Sequence, residues 1–201
     1  MRIRGWFLAM MAGAVLLSGC AGNGNENDKN TEAVSAQEKT ENAKTGITSG
    51  KSDALPLPVT FAAKDMDGNE VTSSIFAESK LTMINVWATY CNPCLNEMPD
   101  LGELSEEYDS EDFQIIGIVS DVLEQADKAL MDKASGLIES TGASYPHLPV
   151  NESLYQAMLT EVTAVPTTFF FNNHGIQIDT VVGSRNKDAW KEKIDELLEK
   201  Q

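Results

Sequence analysis

Cysteine, histidine and positive charge are scarce in this chain, and no apolar run is long. Three cysteines (Cys20, Cys91 and Cys94) among 201 residues are too few for a disulfide framework. The two histidines, His147 and His174, stand at no finger-like spacing from Cys91 and Cys94, so the four ligands of a structural zinc site are not expected. A c-type haem attachment needs histidine directly after the second cysteine, where Leu95 stands. Lys and Arg total 15 against 31 Asp and Glu, a formal net charge of −16. That balance argues against nucleic acid and anionic membrane surfaces as electrostatic partners. The apolar stretch at 6–17 covers about twelve residues, short of the roughly twenty that span a bilayer.

What is present falls into three parts. Residues 1–19 carry Arg2 and Arg4, then the apolar stretch, then Ser18-Gly19, the pattern of a secretory signal. Leu17-Ser18-Gly19-Cys20 resembles the bacterial lipobox, which implies cleavage before Cys20 and lipid on that cysteine. Cys20 is then a membrane anchor with no redox role. Residues 20–54 turn to Asn, Glu, Lys, Thr, Ser and Gly, with hardly any large apolar side chain. Such a segment cannot offset its ordering entropy and is expected to be a disordered tether. As a flexible coil it would reach on the order of 30 Å from the membrane. Residues 55–201 are expected to form one domain.

Within that domain, 59–61 and 70–72 flank Asp67-Gly68 and predict a hairpin. The run at 81–88 (LTMINVWA) suits a strand buried on both faces. A helix is expected from Asn92 to Tyr108, with Met98, Leu101, Leu104 and Tyr108 on one face and a kink at Pro99. The run at 113–119 reads as a second buried strand. Asp121, with Glu124 three residues on, predicts the start of a helix carrying Leu123, Ala126, Leu130, Ala134, Leu137 and Ile138. A short helix at 152–159, strands at 167–171 and 176–182, and a last helix capped by Asn186 complete the pattern. Strand, helix, strand, helix, hairpin, helix is an α/β arrangement with a mixed sheet. The crossover preference puts parallel strands at the centre and helices on both faces.

The chemistry concentrates in Trp87-Ala88-Thr89-Tyr90-Cys91-Asn92-Pro93-Cys94, at the seam between a buried strand and a helix. Pro93 suits the first helical turn, where its missing N–H would be unpaired anyway. Cys91 then sits at the helix N-terminus, where free N–H groups and the macrodipole favour a thiolate. Thiols so placed reach pKa values of roughly 3.5 to 7.5, against about 8.5 for free cysteine. Cys91 is the expected nucleophile and Cys94, one turn inside, the resolving thiol. A purely structural disulfide competes weakly, since closing so small a loop contributes only about 2 kcal/mol.

WATYCNPCLNEMPDL, with AVPTTFFF and NHGIQIDTVVG downstream, resembles the TlpA/ResA branch of thioredoxin-like proteins over roughly 55–201. The resemblance implies a thioredoxin-like fold with an N-terminal hairpin extension. It also implies a membrane-tethered extracytoplasmic thiol–disulfide oxidoreductase, with no cofactor beyond a redox-active Cys91–Cys94 disulfide. Family members often carry Trp where Tyr90 stands. Tyr90 keeps the flat apolar face for an incoming partner and adds a hydroxyl. The resemblance makes Val165-Pro166 a cis bond opposite the cysteines, leaving the Val165 backbone free to pair with a substrate strand. Spacing puts Glu97, three residues after Cys94, on that thiol's helical face. Sequence alone favours a surface glutamate; the resemblance places it near the cysteines, where it would tune proton transfer. Trp87 is expected to pack beneath the site, with plain core filling as the alternative, while His147 and His174 are given no role. Partners implied are disulfide-bearing exported proteins and a membrane electron donor of thiol–disulfide type. Apocytochrome c and methionine sulfoxide reductase are among the family's substrates.

Three rival functions are open at this level. A thiol peroxidase of related fold has threonine three residues before its cysteine; Ala88 holds that position and Thr89 is out of register. A Sco-type copper-delivery protein has three residues between its cysteines and a ligating histidine; here two residues intervene. A non-catalytic lipoprotein adhesin leaves the helix-start Cys-Asn-Pro-Cys unexplained.

Overall fold

The computed structural model describes residues 56–201. The expected signal segment, Cys20 and the tether lie outside the described residues. Strands β1 (Ala62–Lys64) and β2 (Glu70–Thr72) pair antiparallel as the N-terminal hairpin. Asp65 holds its turn, with Oδ1 accepting from the backbone N–H groups of Asp67 and Asn69 at 3.0 and 2.8 Å. Gly68, at φ +89°, takes the left-handed position that the turn requires. The first strand lies three residues later than the sequence predicts. Val59 N–H donates instead to Gly175 O at 2.8 Å, so 59–61 lead into the hairpin.

Five strands form the central sheet: β3 (Leu81–Trp87), β4 (Phe113–Leu123), β5 (His147–Val150), β6 (Thr167–Asn172) and β7 (Gln177–Val182). Their order is β5-β4-β3-β6-β7, with β3, β4 and β5 parallel, and β6 and β7 added antiparallel. Every residue of β3 is buried, as expected for a strand covered on both faces.

Three long helices, α1 (Asn92–Glu107), α2 (Lys128–Thr141) and α4 (Lys187–Leu198), share one face, packed on Leu81, Met83, Trp87 and Phe170. The crossover rule explains this. The connections β3–α1–β4 and β4–α2–β5 step in the same direction across the sheet, so right-handed crossovers put both helices on the same side. The opposite face is covered by the hairpin, a 3-10 turn (Ser73–Glu78) and the short α3 (Glu152–Leu154), which runs into a π turn (Tyr155–Leu159). Helices therefore lie on both faces, but unequally.

Two expectations are corrected. Asp121 does not cap a helix; β4 continues through it to Leu123, and α2 begins only at Lys128. Asp127 is the cap, its Oδ1 accepting from Leu130 N–H at 2.9 Å. The apolar spacing of Leu123, Ala126 and Leu130 fits a helix as well, but both Asp121 oxygens are committed elsewhere, as described below. Strand β5 was not expected at all, because Pro146 and Pro149 punctuate it. It lies at the sheet edge, where a missing N–H is tolerated. Asn186 caps α4 as expected, accepting from Ala189 N–H at 3.0 Å.

Candidate active site

The loop leaving β3 delivers Cys91 to the first turn of α1. Cys91 is the N-cap, Pro93 follows inside the first turn, and a disulfide joins Cys91 to Cys94 with a Cα–Cα distance of 5.3 Å. Cys94 N–H points at Cys91 Sγ from 3.3 Å, so a free backbone donor of the helix end serves the sulfur. Cys94 is fully buried, whereas Cys91 keeps 6% of its surface open. Only Cys91 can be reached from outside.

Val165-Pro166 is a cis peptide bond and lies against the disulfide. Val165 O is 3.6 Å from Cys91 Sγ. With the sulfur in a disulfide this is a contact; reduction would supply the S–H that makes it a weak hydrogen bond. Tyr90 stands 70% exposed beside them. The structure thus brings together Tyr90, Cys91, Cys94, Val165 and Pro166, while Pro93 is exposed on the helix start.

Glu97 is not a surface residue. It is buried, with three donors on its carboxylate: Asn85 Nδ2 to Oε1 at 3.1 Å, and Arg185 N–H and Trp190 Nε1 to Oε2 at 3.0 and 3.2 Å. Burial pushes its pKa above the usual carboxylate value, and the three hydrogen bonds oppose that rise. No hydrogen bond links it to either sulfur among the described residues. It stands one turn beyond Cys94 on the buried side of α1.

Trp87, at the end of β3, is fully buried and donates from Nε1 to His147 Nδ1 at 3.0 Å. His147, given no role from sequence, is 3% exposed, and its Nε2 is 2.9 Å from Ala143 O. Accepting from Trp87 fixes the proton on Nε2, which donates to that carbonyl. Burial lowers its pKa to about 4, against a smaller opposing effect of the Ala143 carbonyl. Gly117 makes room for the ring, since a Cβ there would sit 2.1 Å from His147 Nδ1. His174 is exposed in its turn.

A second brace escaped the sequence reading. Asp121 accepts from Thr89 N–H (2.9 Å, Oδ1) and from Thr89 Oγ1 (2.6 Å, Oδ2), and Lys133 Nζ donates to the same hydroxyl at 3.1 Å. Ser120 Oγ donates to Trp87 O at 2.8 Å. The end of β4 therefore ties down the loop just before Cys91. The only sequence signal was a pair of polar residues ending an apolar strand, which reads equally well as a helix start. Among the described residues no group of three or more His, Cys, Asp or Glu side chains converges as a metal site, and no helix is long and apolar enough to cross a membrane.

A mixed sheet of this order, a disulfide at a helix start and a cis-proline beside it define a thioredoxin-like thiol–disulfide oxidoreductase. The AhpC/TSA family profile matches residues 55–178, more than half of the chain, and the chain belongs to that family. It is 26% identical over 135 residues to the thioredoxin-like protein YneN of Bacillus subtilis, covering 67% of this chain and 75% of that one. It is also 26% identical over 134 residues to the thiol-disulfide oxidoreductase ResA of Halalkalibacterium halodurans, covering 67% and 71%. A crystal structure of a thioredoxin-family thiol:disulfide interchange protein from Chlorobium tepidum superposes with a TM-score of 0.62 at 25% identity, covering 73% of this chain and 99% of that one.

Proposed function

We propose that this protein is exported, tethered outside the cell membrane by lipid on Cys20, and reduces disulfides of exported proteins. The observation that carries the redox reading is the asymmetry of the pair: Cys91 reachable at the helix start, Cys94 sealed one turn behind it.

The reaction follows from that geometry. The Cys91 thiolate, favoured by the helix end and Cys94 N–H, attacks one sulfur of a substrate disulfide. That S–S bond breaks, the leaving sulfur takes a proton, and a mixed disulfide remains. Val165 and Tyr90 border the site where the substrate segment would lie, the former offering its backbone carbonyl. Cys94 then gives up its proton, for which Glu97 is the nearby buried carboxylate, and attacks Cys91 Sγ. The second substrate thiol departs, and two electrons have moved from the pair to the substrate. The Cys91–Cys94 disulfide is the oxidised end point, to be re-reduced by a thiol donor at the membrane. No cofactor enters this cycle.

Tethering rests on the sequence pattern at 1–20 and the polar stretch after it. The peroxidase reading loses support because Thr89 Oγ1 is engaged by Asp121 and Lys133.

One set of strains tests the proposal. Cys94→Ser should accumulate mixed disulfides through Cys91, Cys91→Ser none, and Cys20→Ser should release active protein from the membrane. Equal trapping by both cysteine variants overturns the order of attack; full-length protein with Met1 intact in the membrane overturns the anchor. The potential should lie nearer thioredoxin's roughly −270 mV than the roughly −120 mV of a strong oxidant, and a value above about −150 mV would make the protein an oxidant.

A further inference from the structure

We propose that the trough beside the disulfide binds a substrate segment with an apolar side chain near its cysteine and a basic side chain a few residues away. This rests on the oxidoreductase reading above and names the class of polypeptide it takes.

The trough consists of two adjoining cavities of about 360 and 410 Å³ that share Leu123, Val150 and Tyr155. The inner cavity reaches Val165 and Tyr90, the residue before Cys91; the outer one ends at Glu124 and Glu152. The inner end of the trough is thus at Val165, whose carbonyl oxygen lies 3.6 Å from Cys91 Sγ. Among the described residues six large apolar side chains are exposed, and three of them, Tyr90, Leu123 and Tyr155, line this one feature. Such a concentration at the surface marks a contact site.

Two irregularities in the backbone build it. Pairing between β4 and β5 shifts register between Val119 and Leu123, so β4 bulges there and rejoins β5 at Leu123, which stands 60% exposed opposite Val150. Such bulges re-aim side chains next to active sites. On the other wall the chain leaves α3 through the π turn, a rare geometry frequent at functional sites, and Tyr155 opens it. Asn151 locks the two walls together. Its Nδ2 donates to Glu124 Oε2 and to Ala62 O, both at 2.9 Å, and its Oδ1 accepts from Leu154 N–H at 3.0 Å. The trough is therefore preformed, which lowers the entropy lost when a segment docks.

Charge selects the occupant. No Lys, Arg or His lines either cavity, and neither Glu124 nor Glu152 forms an ion pair among the described residues. An acidic segment would meet uncompensated carboxylates, and a second copy of this chain, itself at −16, would be repelled. A cationic side chain reaching the outer end gains a partner, while an apolar one fills the inner half between Tyr90, Leu123 and Tyr155.

Peptide–glutathione mixed disulfides test this against the reduced protein. Each peptide carries Leu beside its cysteine and Arg two to four residues beyond, on either side, with Ser and Glu replacements as counterparts and oxidised glutathione as the reference disulfide. The Leu/Arg peptide in the matching direction should react about tenfold faster or more than its Ser/Glu counterpart, the factor that burying one apolar side chain supplies. Leu123→Ser should shrink the leucine preference and Glu152→Gln the arginine preference, and added salt should weaken only the latter. If oxidised glutathione is reduced while all peptides react at one rate, or if Leu123→Ser leaves the leucine preference intact, the trough proposal is overturned. If no disulfide is reduced at all, the oxidoreductase reading itself falls.

Discussion

On one face of β3, Ile84 and Val86 meet Phe76, Phe171, Ile116 and Ile118; on the other, Asn85 and Trp87 meet Glu97 and His147. The first face is held by apolar contact and aromatic edges, with Phe76 packed 5.9 Å from Phe61 and 4.7 Å from Phe171 between ring centroids. The second is the face on which α1 carries the disulfide, and the buried ionisable side chains Glu97, Tyr145 and His147 lie there. An apolar core would serve the fold as well on either side, since burying a titratable group costs stability unless every hydrogen bond is made. The asymmetry assigns the hairpin face to stability and the helix face to chemistry.

The largest test of that contrast is acid. His147 is neutral when folded, with a pKa of about 4, against 6.5 when exposed. Between those values the unfolded chain binds a proton that the folded one does not, so stability falls as pH drops from 6.5 to 4. The loss is about 1.4 kcal/mol per pH unit across that window. Glu97 acts in the opposite sense. Its folded pKa is raised, so the folded state holds its proton longer, and stability falls as pH rises from 4.5 through that raised value. The difference between wild type and His147→Gln isolates the first effect. Denaturant unfolding at pH 7, 6, 5 and 4 should show this difference closing as pH falls; a constant offset would mean His147 does not titrate with folding.

Glu97 sharpens the comparison from the redox side. Glu97→Gln removes a charge from the helix face and keeps an acceptor for two of the three donors, Arg185 N–H and Trp190 Nε1. The glutamine NH₂ then faces the Asn85 NH₂. Turning the Asn85 amide would move that NH₂ to where Oδ1 has no partner among the described residues, so the variant's stability is measured beside its potential. A buried carboxylate opposes negative charge on the reduced thiols, so its removal should raise the potential. The expected rise is some tens of millivolts, where about 30 mV corresponds to 1.4 kcal/mol for this couple. Equilibration against dithiothreitol measures it, and no rise, or a fall, would show that Glu97 serves packing alone.

The two faces were unequally legible in the sequence. Alternating or continuous apolar runs announced β3, β4 and β6, and Cys-Asn-Pro-Cys announced the helix start, because those signals are local. Val165-Pro166 became readable only by resemblance; spacing put Glu97 on the helical face of Cys94, but without the resemblance a surface glutamate was favoured. His147, Asn85 and Asp121 were missed for one shared reason. Each acts through a partner 12 to 60 residues away, as in Asn85–Glu97, Trp87–His147 and Thr89–Asp121, and nothing in a window of sequence marks such a pairing. The apolar face is held mainly by contacts that patterning describes, although distant side-chain bonds such as Gln114 Nε2 to Ile75 O and Ala62 N–H to Ser153 Oγ escaped there too.

The smallest expected effect concerns the brace on the loop before Cys91. Asp121 holds Thr89 through both its backbone N–H and its hydroxyl, and it also brings a negative charge to the loop that carries the attacking sulfur. Positioning and charge can be separated. Asp121→Asn keeps an oxygen for the Thr89 N–H, loses the charge-assisted bond to the hydroxyl and removes the charge. Thr89→Val keeps the Asp121 charge and the backbone bond but deletes the hydroxyl, leaving Lys133 Nζ without that acceptor. Each loses about 1 kcal/mol of hydrogen bonding, so both should slow attack on oxidised glutathione by a few-fold. Only Asp121→Asn should lower the Cys91 thiol pKa, since only it removes the nearby anion. Thiolate absorbance near 240 nm, followed against pH in the Cys94→Ser background, reads that pKa directly. Equal titration curves for the two variants, alongside equal slowing, would reduce Asp121 to a loop tie; a fall confined to Asp121→Asn would show that the end of β4 also sets the charge at the attacking sulfur.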